Sequence, residues 1–178
     1  MRLFNKTVLV GAALFFMLGI YAYAADAAKI GVVDFRKILE ESNTGISGRA
    51  EIKKQGEMME VDLKKKGAEL EELKKQYEKN AMVTKKDVTE EKQLELKAKY
   101  EKFMILQKQY NADIQNLQKS FFVSLKNEVD LVVDAICKKE KYQIIIEKNA
   151  VFYSPPSIDI TDKVIQQLNA KSALQPGK

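Results

Sequence analysis

The sequence predicts an α+β protein in which a long antiparallel helical hairpin, a coiled-coil arm, projects from a small β-rich oligomerisation body. Three observations carry this expectation. Residues 46–140 contain no proline and are dense in Lys, Glu, Gln, Leu and Ala, the composition of long helix. Heptad patterning within that stretch stops once, near residues 80–87. Short β-branched runs flank the helical region on both sides, so the body is discontinuous, at 25–45 and 141–170.

Residues 1–24 read as a secretory signal peptide. Arg2 and Lys6 form a basic n-region, Thr7 to Ile20 forms an apolar h-region, and Ala22, Tyr23 and Ala24 give an A-x-A cleavage site, with Ala27 as a second one. The apolar run falls short of the about 20 residues a membrane span needs. Loss of Arg2 and Lys6 lowers the formal charge from +5 to +3, and the mature chain works outside the cytoplasm. Export permits disulfides, but Cys137 is the single cysteine, so no intrachain bridge can form and stability must come from packing.

Lys29 to Asp34 (KIGVVD) is a candidate strand. The first arm then carries Ile52, Met59 and Leu73 on one heptad position and Leu63, Leu70 and Tyr77 on its partner, with Lys66 and Gly56 breaking the two series. In the NAMVTKKD segment, Thr84 offers an N-cap, Asp87 its box partner, and Val83 and Val88 a hydrophobic staple, which together predict the hairpin tip. The second arm reads more cleanly: Leu96, Phe103, Tyr110 and Leu117 recur at seven-residue steps, with Tyr100, Ile114 and Phe121 interleaved and Gln107 polar. Beyond Phe121 the apolar set widens to Phe122, Leu125, Val129, Val132, Val133 and Ile136, which predicts entry into a fuller core. Tyr142 to Glu147 and Ala150 to Tyr153 are expected as two strands joined by a turn at Lys148 and Asn149. Asp159, Thr161 and Asp162 offer caps for a short helix over Lys163 to Asn169, with Val164, Ile165 and Leu168 as its inner face, and residues 171–178 as a flexible tail.

Composition excludes much. There is no His and no Trp, which removes imidazole-based triads and histidine zinc sites. No glycine-rich phosphate loop or CxxC pair occurs, and Asp34, Asp134 and Asp159 lack any metal-ligand spacing, so no catalytic residue, metal or cofactor is expected and the chain is not read as an enzyme. Residues 46–140 hold 20 basic and 18 acidic side chains, too balanced for a nucleic-acid partner. With most of the chain in the arm, a body of roughly 60 residues without disulfide or metal is marginal alone, and pairing its open strand edges between subunits would remedy that.

The segments KIGVVDFRKILEES (29–42) and YQIIIEKNAVFYSPPSIDITDKVIQQLN (142–169), on either side of a long charged helical stretch and behind a signal peptide, closely resemble the Skp/OmpH family of periplasmic chaperones. The resemblance implies a jellyfish-like homotrimer, its β-rich bodies joined and its hairpins hanging around a cavity. Unfolded outer-membrane proteins would be held there, without ATP, on their way across the periplasm. A projecting hairpin also suits a structural or adaptor coiled coil of an envelope or secretion assembly, although such proteins carry larger β-rich domains.

Under the chaperone reading, Met58, Met82 and Met104 lie off the heptad seam and are candidate client contacts, because flexible thioethers adapt to varied surfaces. Met59, Tyr77, Tyr100, Phe103 and Tyr110 are expected to fill the seam. Lys97, Lys99, Lys102 and Lys108 belong to a locally basic stretch, Leu96 to Lys126, that would steer acidic clients, anionic lipid or lipopolysaccharide head groups. Ile30, Val32, Val33, Ile144, Ile145, Ile146, Val151 and Phe152 are the candidate oligomer body.

Overall fold

The computed structural model describes residues 28–81 and 86–174. The expected signal peptide and the Val83–Thr84 capping device lie outside the described residues. Strand β1 (Ile30–Val33) is followed by helix α1 (Phe35–Glu41), the arm helices α2 (Asn43–Ala81) and α3 (Lys86–Glu140), strand β2 (Ile144–Glu147) and helix α4 (Thr161–Ala173).

Local chemistry sets the helix boundaries. Asp34 caps α1, its Oδ1 accepting from the Lys37 N–H at 3.0 Å. Ser42, fully buried, ends α1 and starts α2: its Oγ accepts the Gly45 N–H at 3.0 Å and its carbonyl accepts from Ile46 at 2.8 Å. The α2 terminus is also tied to α4, because Asn169 Oδ1 accepts the Asn43 N–H at 2.8 Å. At the far end of α3, Lys141 adopts a left-handed φ of 59° and the Tyr142 N–H reaches back to the Cys137 carbonyl at 3.2 Å, a Schellman-type stop that aims the chain into β2.

The arms are antiparallel, since contact partners rise in number along α2 as they fall along α3: Gly48 faces Phe121, Gly56 faces Ile114 and Gly67 faces Phe103. At 1.5 Å per residue, the 39 residues of α2 and the 55 of α3 extend to about 58 and 82 Å. Gly56 therefore does not interrupt the seam as the heptad count suggests. It lies in the seam and leaves the hole that Ile114 fills, an added Cβ standing 3.6 Å from the Ile114 methyl. Leu117, expected in the seam, is 40% exposed, and between Phe103 and Tyr110 the seam position passes to half-buried Leu106 while Gln107 faces solvent.

The core lies at the root of the arm, where Leu125, Val129, Val132 and Ile136 of α3 meet Val33, Ile38, Ile160, Val164 and Leu168. Its position agrees with the widened apolar face after Phe121. Phe122 stays half exposed, meeting Phe35 edge-on with ring centroids 5.0 Å apart.

The β region departs from expectation. β1 and β2 pair in parallel, Ile30 opposite Ile144 and Val33 opposite Glu147, and Ala150 to Tyr153 is not a strand. A two-residue hairpin of the favoured type needs positive φ at both central residues, and neither Lys148 nor Asn149 has it; both lie in a 3-10 turn, Lys148–Ala150. The other edge of β1 is met by Asp159 and Ile160, the Ile160 N–H donating to the Val32 carbonyl at 2.9 Å. Helix α4 also continues past Asn169 to Ala173, so part of the expected tail is helical.

Candidate binding surface of the helical arm

Three tyrosines fasten the arms. Tyr77, Tyr100 and Tyr110 each donate a hydroxyl across the seam to a carboxylate of the opposite helix: Glu95 at 2.8 Å, Glu71 at 2.9 Å and Asp62 at 2.9 Å. Those hydrogen bonds to ionised acceptors hold all three phenols above the ordinary tyrosine range. Glu95 is held below the usual carboxylate range, first by Lys99 and then by Tyr77. The seam residues are thus structural: Met59, Tyr77, Tyr100, Phe103 and Tyr110 are all half-buried.

Two candidate contacts stand clear of the seam. Met58 is 58% and Met104 50% exposed, and Met82 lies outside the described residues. The four lysines do not form one patch. Lys97 and Lys108, eleven residues apart and so about three turns, share one side of α3. Lys99 and Lys102 border the seam. The basic excess is also smaller than the sequence suggests. Lys99 is paired with Glu95 at 2.9 Å and Lys126 with Asp130 at 2.7 Å, both acids lying outside the basic stretch. Among the described residues Lys97, Lys102, Lys108 and Lys119 have no carboxylate within ion-pair distance.

Between the arms the seam leaves an open groove of about 590 Å³, inside the range of about 300–1,000 Å³ typical of small-ligand clefts. Leu70, Leu73, Phe103 and Leu106 line it, and Lys66, Lys99, Lys102 and Glu69 stand around it. Two irregularities coincide here: Gly67 has no side chain to set against Phe103, and the α3 seam has slipped to Leu106. Leu106 was invisible to heptad counting, but the polar Gln107 at a seam position was a signal of the slip. A second groove of about 370 Å³ at the arm's root is lined by Ile52, Phe121 and Phe122 beside Arg49 and Lys53.

In the body, Val32 and Val33 are buried in the chain's own core, with Val32 only 1% exposed. Ile145 packs against that core, and Ile146 and Val151 are half-buried. Ile30, Ile144 and Phe152 are exposed. Glu140 ties this region together: Lys163 donates to its carboxylate at 2.7 Å and Lys29 to its main-chain carbonyl at 2.9 Å. Asp34 caps α1, Asp159 lies just outside α4 and accepts the Thr161 N–H at 2.9 Å while Ile160 takes the N-cap position in place of the expected acidic cap, and Asp134 pairs with Lys138 one turn away. Among the described residues no helix is long and apolar enough to cross a membrane, and no group of three or more acids or thiols could hold a metal.

A family model described as outer membrane protein (OmpH-like) matches residues 29–168. A Skp-like protein of Pseudomonas aeruginosa is 27% identical over 95% of this chain and 98% of its own length. The chaperone protein Skp of Blochmanniella pennsylvanica is 29% identical over 79% of this chain and 85% of its own. In three dimensions an OmpH-like protein of Caulobacter crescentus superposes with a TM-score of 0.77 at 17% identity, covering 81% of this chain and 85% of that one.

Proposed function

The chain belongs to the Skp/OmpH family, and from that premise we propose that it is an ATP-independent periplasmic holdase, which binds unfolded outer-membrane proteins, prevents their aggregation and aids their delivery to the outer membrane. The observation that carries the reading is the division of the molecule. The core is confined to the root of the arm, while the arm itself keeps Met58, Val61, Leu94, Met104 and Ile105 half or more exposed and its seam open in grooves. Scattered apolar side chains on a long projection grip weakly at many points, which suits a partner without a fixed epitope that must later be released. Residues 25–45 and 141–170 would be the trimerisation body, with Ile30, Ile144 and Phe152 as surface available to a neighbouring subunit, and 46–140 the arm.

The test is dilution of a urea-unfolded β-barrel protein into buffer with the mature protein and no nucleotide, followed by light scattering. Scattering should be suppressed at about one oligomer per client. A need for nucleotide, or capture of a single folded partner only, as an adaptor would show, overturns the proposal.

A further inference from the structure

We infer that the mid-arm groove is a seat for one extended segment of the unfolded client, a segment in which an acidic residue stands between two apolar ones. The inference rests on the holdase reading and names what part of a client the arm grips. The floor of the groove is made only of leucine and phenylalanine side chains, Leu70 among them almost wholly buried, so it asks for apolar partners. The rim asks for the opposite. Lys66, Lys99 and Lys102 surround that floor against the single acid Glu69. Lys102 has no carboxylate within ion-pair distance among the described residues, and Lys66 has only Asp62, at 3.7 Å, whose other oxygen already accepts the Tyr110 hydroxyl. Lys99 is held by Glu95 at 2.9 Å, so an anionic group entering here meets Lys102 as the rim cation without an ion-pair partner among the described residues, with Lys66 loosely held beside it.

Length then selects the shape of the occupant. From Lys66 to Leu73 the groove runs about 10 Å along α2 at 1.5 Å per residue, which matches about three residues of extended chain at 3.3 Å each. In such a chain the first and third side chains point to one face and the second to the other. Two apolar side chains on the floor therefore present the middle residue to the lysine rim. The groove is open along one side, so a segment can enter and leave laterally without threading.

Because the chain has no Trp, Leu106→Trp places a lone emission reporter in the groove, and Met58→Trp provides the same reporter outside it. The mature protein is titrated with a peptide alternating Val and Asp and with its twin carrying Lys for Asp. Anisotropy of the labelled peptides on the wild-type chain supplies a reading independent of either substitution. The acidic peptide should shift L106W emission to the blue, leave M58W unmoved, and bind the wild type about tenfold tighter than its twin at low salt. Lys66→Glu with Lys102→Glu should erase or reverse that preference. Equal affinity for the two peptides, or a preference that survives the double reversal, overturns the inference; so does a response of L106W to decanoate or to anionic phospholipid vesicles but not to peptide. Suppression of client aggregation is measured on the same preparations. Intact suppression with a failed peptide result sinks the groove seat alone, whereas lost suppression in the wild type sinks the holdase reading.

Discussion

Replacing Gly48 by Ala is expected to destabilise the protein, while the same change at Gly67, farther along the same helix, is expected to stabilise it. Both substitutions recover helix propensity, about 1 kcal/mol for Gly to Ala in a helix interior. They differ in what the new methyl meets. At Gly67 the nearest atoms are Phe103 Cζ and Cε2 at 3.6 and 3.9 Å, ordinary contact distances, so the propensity gain survives as about 0.5–1 kcal/mol. At Gly48 the Phe121 ring lies flush on the glycine, and three of its carbons stand within 2.6 Å of the position a Cβ would take. Phe121 also packs against the core, so the ring cannot retreat without cost. Overpacking of this kind costs about 1–3 kcal/mol, and the displaced ring forfeits contacts in addition, leaving a net loss of about 1–2 kcal/mol. Urea unfolding followed by far-ultraviolet circular dichroism at one fixed protein concentration measures both variants. Phe121→Leu in the Gly48→Ala background should recover part of the loss, because the two changes share one site. A Gly48→Ala variant as stable as wild type, or two glycine variants that shift in the same direction, would refute the argument that the seam is built around glycine holes.

Three further outcomes are expected. The Asp159 carboxyl is pushed up by burial, but hydrogen bonds from the Thr161 hydroxyl and N–H and from Lys148 outweigh this and hold it below its ordinary 3.8. Its contribution to stability is therefore complete above that ordinary value and lost as pH falls through the depressed one, so thermal melts from pH 6 to 2 should flatten in Asp159→Asn over the acid end. Ile144→Asp places a charge on the exposed apolar side of β2 offered to a neighbouring subunit, and equilibrium sedimentation should show loss of assembly with the helical circular dichroism of the chain retained; a well-behaved oligomer would contradict the proposed body. Reversing Lys97, Lys99, Lys102 and Lys108 to Glu should slow client capture in stopped flow and weaken its dependence on salt once the Debye length falls to about 8 Å, with equal rates and slopes marking the lysines as a solvated face only.

What sequence alone determined is whatever depends on near neighbours in the chain. The proline-free heptads specified two long helices, the break near residue 80 their hairpin, and the widened face from Leu125 to Ile136 the place of the core. In the site, the exposure of Met58 and Met104 and the seam role of the tyrosines followed from the same periodicity, since a helix presents side chains at a fixed angle per residue. Tertiary structure decided whatever depends on which distant segment arrives alongside. β1 takes β2 in parallel because the hairpin returns the chain to its own root, and the Lys141 turn then sends β2 beside β1; no local signal at residues 29–34 or 142–147 encodes that direction. Ala150 to Tyr153 had strand composition, but its turn lacked the positive φ a hairpin needs and the other edge of β1 went to Asp159 and Ile160. Gly56 read as a gap in one helix and Gly48 carried no signal; both became receptacles only when Ile114 and Phe121 of the other helix met them. The groove and its lysine rim exist for the same reason: a slip in one arm and a missing side chain in the other make a cavity only in the register that the pairing of the two arms selects.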